Sequence, residues 1–253
     1  MRYEIVFSPT GGTQEAARFL GAAWGDEASR IDLSDPRTDF SAYAFAPEDV
    51  CLVAVPSFGG RVPQVAVERL SQMRGGGAQA VLLCVYGNRA YDDTLLELRE
   101  TLEKIGMRCR AAVAAVAEHS IMHAFAAGRP DARDEEELRA YGERVRTRLG
   151  EAPDAPAVRV PGASPYREYG GVPMKPKAGR ACTACGLCAR KCPVGAIDPH
   201  DPAKTDEKAC ISCMRCVSIC PAHARKVNAA LVFAASQKMK KACEGRKPNE
   251  LFL

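Results

Sequence analysis

With 253 residues the chain exceeds the usual length of one domain, so a full-sized domain plus a smaller one is expected. Net charge is only +4 but unevenly placed: from Met174 onward 15 Lys plus Arg stand against 6 Asp plus Glu, a net of +9, and the remainder carries 20 against 25, a net of −5. No apolar stretch approaches a membrane span, no cleavable signal precedes the first strand-like run, and the grouping of the cysteines is not that of a secreted disulfide framework, so a soluble, cytoplasmic protein is expected.

Residues 2 to 7 read as a strand, and Thr13 to Leu20 as the opening of a helix capped near Gly12 or Thr13. Short apolar runs follow at Ala28 to Leu33, Val50 to Val55, Gln79 to Tyr86 and Cys109 to Ala117. They are mostly continuous rather than alternating, as strands covered on both faces are. Between them lie helical patterns. Gln64 to Met73 carries apolar residues at Val65, Ala66 and Leu70, and Asp92 to Ile105 carries them at Leu95, Leu96, Leu98, Leu102 and Ile105. Asp134 to Leu149 begins with acids and ends with arginines, in keeping with a helix dipole. Five strands alternating with helices predict a doubly wound parallel sheet, for which the flavodoxin-like strand order is one of two common solutions.

The loop after the first strand, Phe7 to Thr13, offers hydroxyls at Ser8, Thr10 and Thr13 and flexible backbone at Gly11 and Gly12. Such a loop can close amides around a phosphate at a helix N-terminus. It holds no lysine, so it is not a nucleoside triphosphate loop, and it lacks the G-x-G-x-x-G of a dinucleotide fold. Two later loops also stand at strand ends: Pro56, Ser57, Phe58, Gly59, Gly60 and Arg61, then Tyr86, Gly87, Asn88, Arg89, Tyr91 and Asp92. Their glycines and aromatics suit a flavin ring, which needs close backbone approach at one edge and flat apolar walls; each alone is equally readable as an ordinary turn with packed aromatics. His119 and His123 follow the fifth strand, where a catalytic role competes with plain hydrogen bonding.

After Gly150 the prolines are too dense for regular elements, which marks residues 151–178 as a linker crossing over a first domain of residues 1–150. Two cysteine runs of identical spacing come next: Cys182, Cys185, Cys188 and Cys192 before Pro193, then Cys210, Cys213, Cys216 and Cys220 before Pro221. Three close thiolates wrap one face of a [4Fe-4S] cluster, and the fourth points back at its neighbour. Crossed sets are therefore expected, one of Cys182, Cys185, Cys188 and Cys220, the other of Cys210, Cys213, Cys216 and Cys192. Zinc is the competing reading, but structural zinc usually draws on paired C-x2-C hooks. This small domain spans residues 179–227, with a closing helix and tail over residues 228–253. His200 and His223 flank the runs and could tune potential through hydrogen bonds. Cys51, Cys84 and Cys109 read as core residues; Cys243 reads as a packed or surface cysteine, with a reactive thiol or ligand as the alternative. The basic second part offsets cluster charge, and its scattered lysines lack the aromatic series of a nucleic-acid binder.

The phosphate loop, the stretch Tyr86 to Asp93, the segment Glu118-His119-Ser120 and the paired cysteine runs together resemble the ferrodoxin family of fused flavodoxin and ferredoxin proteins. The resemblance implies a flavodoxin-like five-stranded parallel sheet joined to a small bacterial-type 2[4Fe-4S] ferredoxin domain. It also implies FMN in the first part, two [4Fe-4S] clusters in the second, and electron traffic between them and a protein redox partner. An FMN-dependent reductase of a small-molecule acceptor, fed by its own ferredoxin domain, is the alternative reading.

Overall fold

The computed structural model describes residues 1–25, 27–152 and 155–253; of the proline-rich linker, Pro153 and Asp154 lie outside the described residues. Strands β1 (Arg2–Val6), β2 (Ser29–Asp32), β3 (Val50–Pro56), β4 (Gln79–Tyr86) and β5 (Arg108–Val116) form a parallel sheet in the order 2-1-3-4-5. That is the flavodoxin order, with its topological switch point between β1 and β3. Apolar side chains on both faces explain the continuous hydrophobic runs. Helices α1 (Gly12–Gly21) and α4 (Ala132–Leu149) cover one face with Phe19, Leu20, Leu138 and Val145. Helices α2 (Gln64–Leu70) and α3 (Thr94–Lys104) cover the other with Val65, Leu70, Leu95, Leu98 and Leu102. Cys51, Cys84 and Cys109 lie in this second core layer.

Residues 155–178 run as a strap across the sheet's edge and then over α3. The Val158 amide donates to the Cys109 carbonyl at 2.9 Å, and the amides of Ala163 and Arg167 donate to the Asp93 carboxylate at 2.8 and 2.7 Å. Arg61 clamps the strap from below. Its guanidinium forms a two-pronged pair with Glu97 at 2.8 and 2.6 Å, donates to the Arg167 carbonyl at 2.8 Å and stacks on the Tyr166 ring.

The small domain contains the two-stranded pair β6 (Lys177–Ala178) and β7 (Arg225–Lys226), and two one-turn helices, α5 (Leu187–Arg190) and α6 (Arg215–Ser218). Helix α7 (Ala229–Met239) then leads away from it. The tail returns to the first domain, where β8 (Glu250–Phe252) adds an antiparallel edge strand beside β5 and makes the sheet six-stranded. Asn88 holds this return by donating to the carbonyls of Cys243 and Gly245 at 2.7 and 2.8 Å. Cys243 is buried there, and burial raises its thiol, so it is a packed cysteine rather than a reactive one. No helix among the described residues is long and apolar enough to cross a membrane.

Candidate functional site

At the carboxyl ends of β1 and β3, where the strand order reverses, lies a cleft with about 760 Å³ of open space, its solvent-facing mouth included. Four loops of the first domain wall it: Thr10, Gly12 and Thr13 after β1; Pro56 to Gly59 after β3; Tyr86 and Gly87 at the end of β4; and Glu118 to Ile121 after β5. The start of α1 forms its floor. The N-cap of that helix, Gly11, has no side chain to cap it and the Ser8 hydroxyl takes the Gln14 amide, so the amides of Gly12 and Thr13 are the ones at the cleft.

Of the residues singled out in sequence, Thr10, Gly12, Thr13, Pro56, Ser57, Phe58, Gly59, Tyr86 and Gly87 line this cleft. The others build its frame. Ser8 accepts the Gln14 amide at 2.9 Å and shapes the loop, and Gly11 has the positive φ that turns the chain into α1. Gly60 accepts the Asp93 amide, and Asp92 pairs with Arg89 and with Arg167. Tyr91 donates to Glu250 at 3.1 Å, so it anchors the tail. Arg61 and Asn88 hold the strap and the tail, as described above.

Sequence reasoning missed the part of the wall that the strap and the small domain supply. Tyr169 and Val172 come from the strap, and Ile211, Ser212 and Cys213 come from the small domain. Gly59 shows how tightly the strap seats. Its φ is +61°, and a Cβ there would drive into the Tyr169 ring. Gly59→Ala is expected to cost about 1–2 kcal/mol from the left-handed backbone alone, and Tyr169→Ala in the same chain should recover none of that part. Urea titration of the single and double variants measures both.

His119 packs its ring against Gly87, where an added Cβ would lie 2.7 Å from the imidazole. Its Nδ1 accepts the amides of Ile121 and Met122 at 3.1 and 3.2 Å, so the ring proton sits on Nε2. Burial pushes the ring's pKa down to about 4. His119 is therefore a neutral, fixed group at ordinary pH, not an acid. The unfolded chain takes this proton first, so the contribution to stability is complete above pH 6.5 and is lost as pH falls toward 4. Between pH 6.5 and 5 the wild type should lose about 1–2 kcal/mol more than His119→Gln in urea unfolding.

The small domain gathers its thiols around two cavities. One is lined by Cys182, Cys185, Cys188 and Cys220, the other by Cys192, Cys210, Cys213 and Cys216. Among the described residues no three His, Cys, Asp or Glu side chains converge tightly enough to hold a single metal ion. Four thiols spread around a void instead suit a larger body that takes sulfur at its corners. Amides already point at two of the sulfurs: Ala196 donates to Cys192 Sγ and Ala224 to Cys220 Sγ, both at 3.3 Å. Burial raises the Cys213 thiol to about 11 and Cys216 to about 12, so iron binding there must displace protons.

Two arginines bolt the domains together beside the cleft. Arg69 stacks on Phe40 and donates to the carbonyls of Leu33 and, at 2.6 Å, Pro193. Arg215 donates to the Ser8 carbonyl at 3.4 Å and stands 3.7 Å from Asp32. The second cysteine run is thus held directly over the loop that follows β1.

Residues 181–225 match the 4Fe-4S dicluster domain. The chain joins a flavodoxin-fold domain to a 4Fe-4S dicluster domain. Solved structures similar to this fusion protein include the two-electron reduced flavodoxin of Megasphaera elsdenii, 18% identical over 58% of this chain and 99% of that one, with a TM-score of 0.39. The oxidised flavodoxin 1 of Bacillus cereus is also 18% identical, over 58% and 98% of the two chains, with a TM-score of 0.43. An archaeal flavodoxin is 14% identical over 60% of the fusion protein and all of its own length, with a TM-score of 0.40. No curated protein matches the fusion protein.

Proposed function

We propose that the chain is an electron-transfer flavo-iron-sulfur protein, with FMN in the cleft and a [4Fe-4S] cluster in each cysteine-lined cavity. One observation carries this reading: Cys213 lines both the second thiol cavity and the cleft. Such clusters pass electrons singly, whereas a flavin holds one or two, so their junction lets single electrons be paired or pairs be divided.

The chain's residues supply placement. Thr10 and Thr13, with the amides of Gly12 and Thr13 at the start of α1, offer hydroxyls and amides to a phosphate without any lysine or arginine in the loop. Gly59 and Gly87 leave room for Tyr169 and His119 in the wall, and Tyr169, Phe58 and Ile211 supply apolar surface. Around the thiols, the amides of Ala196 and Ala224 and the buried Arg225 favour anionic sulfur. The two thiol sets are unequal in position. The set containing Cys213 adjoins the cleft, and the set containing Cys185 faces solvent, which orders them as inner and outer.

Anaerobically purified protein should contain about eight irons and one FMN per chain. On rapid mixing with dithionite, flavin and cluster absorbance should change in a linked sequence. Zinc in place of iron, or flavin and clusters that change independently, would overturn the reading. Rapid oxidation of the reduced protein by one small quinone or nitroaromatic would favour the reductase over the carrier.

A further inference from the structure

The two cysteine runs fold alike but face different surroundings. Cys185 and Cys213 hold the same place in their runs, each followed by a left-handed residue, Gly186 or Met214, that starts a short helix. The loop around Cys213 is covered by the first domain. Around the other, Thr183, Ala184 and Cys185 are exposed. From Ala178 to Ile197 the chain carries Arg180, Arg190 and Lys191 and no carboxylate. Arg180 and Arg190 are exposed, and Arg190 donates to the Cys185 carbonyl at 3.1 Å.

A groove adjoins this loop. It passes Ala181, beside Cys182, and is lined by Lys175, Lys177, Arg180 and Lys226 with Glu207 as its single carboxylate, already paired to Lys177 at 2.8 Å. Its far wall is α7. That helix is firmly begun, since Asn228 accepts the amides of Ala230 and Leu231 at 2.9 and 3.2 Å, yet none of its side chains is buried. Leu231 and Phe233 stand 47% and 66% exposed. Leu231 turns into the groove, whereas Phe233, two positions on, stands about 200° around the helix from it; an exposed leucine within a basic rim has the anatomy of an interface: apolar centre, charged edge.

We propose that this face docks an acidic one-electron carrier protein and connects it to the outer thiol set, an inference that rests on the electron-transfer reading above. The unbalanced cations select a negatively charged partner and steer it, and Leu231 supplies the dry contact. A membrane is the poorer fit, because an interfacial helix spreads its lysines along the polar face. In α7 that face offers Ser236 and Gln237, with Lys238 only at the end. In each encounter one electron leaves the reduced partner and one enters the other; no bond forms and no proton moves.

The holoprotein should bind a plant-type [2Fe-2S] ferredoxin, which is acidic, in titration calorimetry at low salt, and should not bind cytochrome c, which is basic. Arg180→Glu with Lys226→Glu is expected to weaken binding about tenfold or more and to flatten its salt dependence. Leu231→Ser, on a helix that holds no core residue, is expected to weaken it about tenfold with unchanged iron content. Equal affinity in these variants overturns the proposal, as does equal binding of cytochrome c. So does sedimentation with phosphatidylserine vesicles or self-association, lost in Leu231→Ser, in place of ferredoxin binding. Dithionite reduction of the same variants separates the two readings: if flavin and clusters still change together while ferredoxin is ignored, only the docking face fails. If ferredoxin binds and the flavin never follows the clusters, the electron-transfer reading fails.

Discussion

A protein carrying Cys192→Ala is expected to bind about four irons instead of about eight, and to lose them from the cavity that adjoins the cleft rather than from the one its own run surrounds. The reason is the crossing of the chain after each proline. Cys192 is separated by three residues from Cys188, yet its sulfur lines the void with Cys210, Cys213 and Cys216, and Ala196 donates an amide to it there. Removing it withdraws one of four thiols and strands an amide in a buried wall. Cys220→Ala should do the converse, sparing the inner set and costing the outer one. The two variants therefore have the same iron count and opposite behaviour. With Cys220→Ala, flavin and the remaining cluster should still change together after mixing with dithionite. With Cys192→Ala they should not, because the surviving centre lies on the solvent side. Iron analysis, low-temperature electron paramagnetic resonance and the flavin trace at one wavelength decide it. If Cys192→Ala damages the set containing Cys185, the crossed arrangement is wrong.

How much of this was legible depends on how local each signal is. The cysteine runs are local: spacing, a following proline and repetition name the ligand type before any fold is known. The loop after β1 is local as well, and so are the apolar runs of a sheet covered on both faces. The roles of Arg61, Asn88, Tyr91 and Asp92 were not legible, because their partners are far along the chain: Asn88 meets the tail at Cys243 and Gly245, and Arg61 meets the strap at Arg167. Position at a strand end made all four look like cleft residues, and only the packed structure shows that they brace it. Tyr169 left no trace, since a proline-rich segment has no periodicity to say which side chain turns inward. β8 escaped for a different reason. Three residues are too few for any alternation to register, and the strand exists because Asn249 supplies an acceptor to the Val116 amide at 2.9 Å and carries the tail alongside β5.

The same tail makes Asp134 the most consequential carboxylate of the first domain. It is completely buried at the third position of α4, where it closes a capping box with Asp131. It receives Arg129 through two nitrogens at 2.9 and 2.6 Å, Asn249 at 3.0 Å and Arg246 at 3.0 Å. One side chain thus ties the start of α4 to the segment before it and to the returning chain. Asp134→Ala leaves the nearly buried Arg129 guanidinium without its counter-charge and should cost about 3–5 kcal/mol. Arg139→Ala breaks an exposed pair with Glu135 on the same helix and should cost at most about 0.5 kcal/mol. Burial opposes ionisation of Asp134, but Arg129, Asn249 and the Asp131 amide outweigh it and hold the carboxyl below its ordinary range. A depressed carboxyl stabilises the fold above its unfolded pKa and loses that contribution as pH falls through the folded value. The wild type should therefore weaken steeply below about pH 4, and Asp134→Ala should be weak throughout with a shallower acid limb. Urea unfolding followed by far-ultraviolet circular dichroism gives the free energies. Trp24, whose indole donates to the Gly142 carbonyl of α4 at 2.8 Å, reports locally whether that helix stays docked. A double variant, Arg129→Met with Asp134→Leu, removes both charges and should be less destabilised than Asp134→Ala alone. Should it be worse, the large cost belongs to packing of α4 and not to a stranded charge.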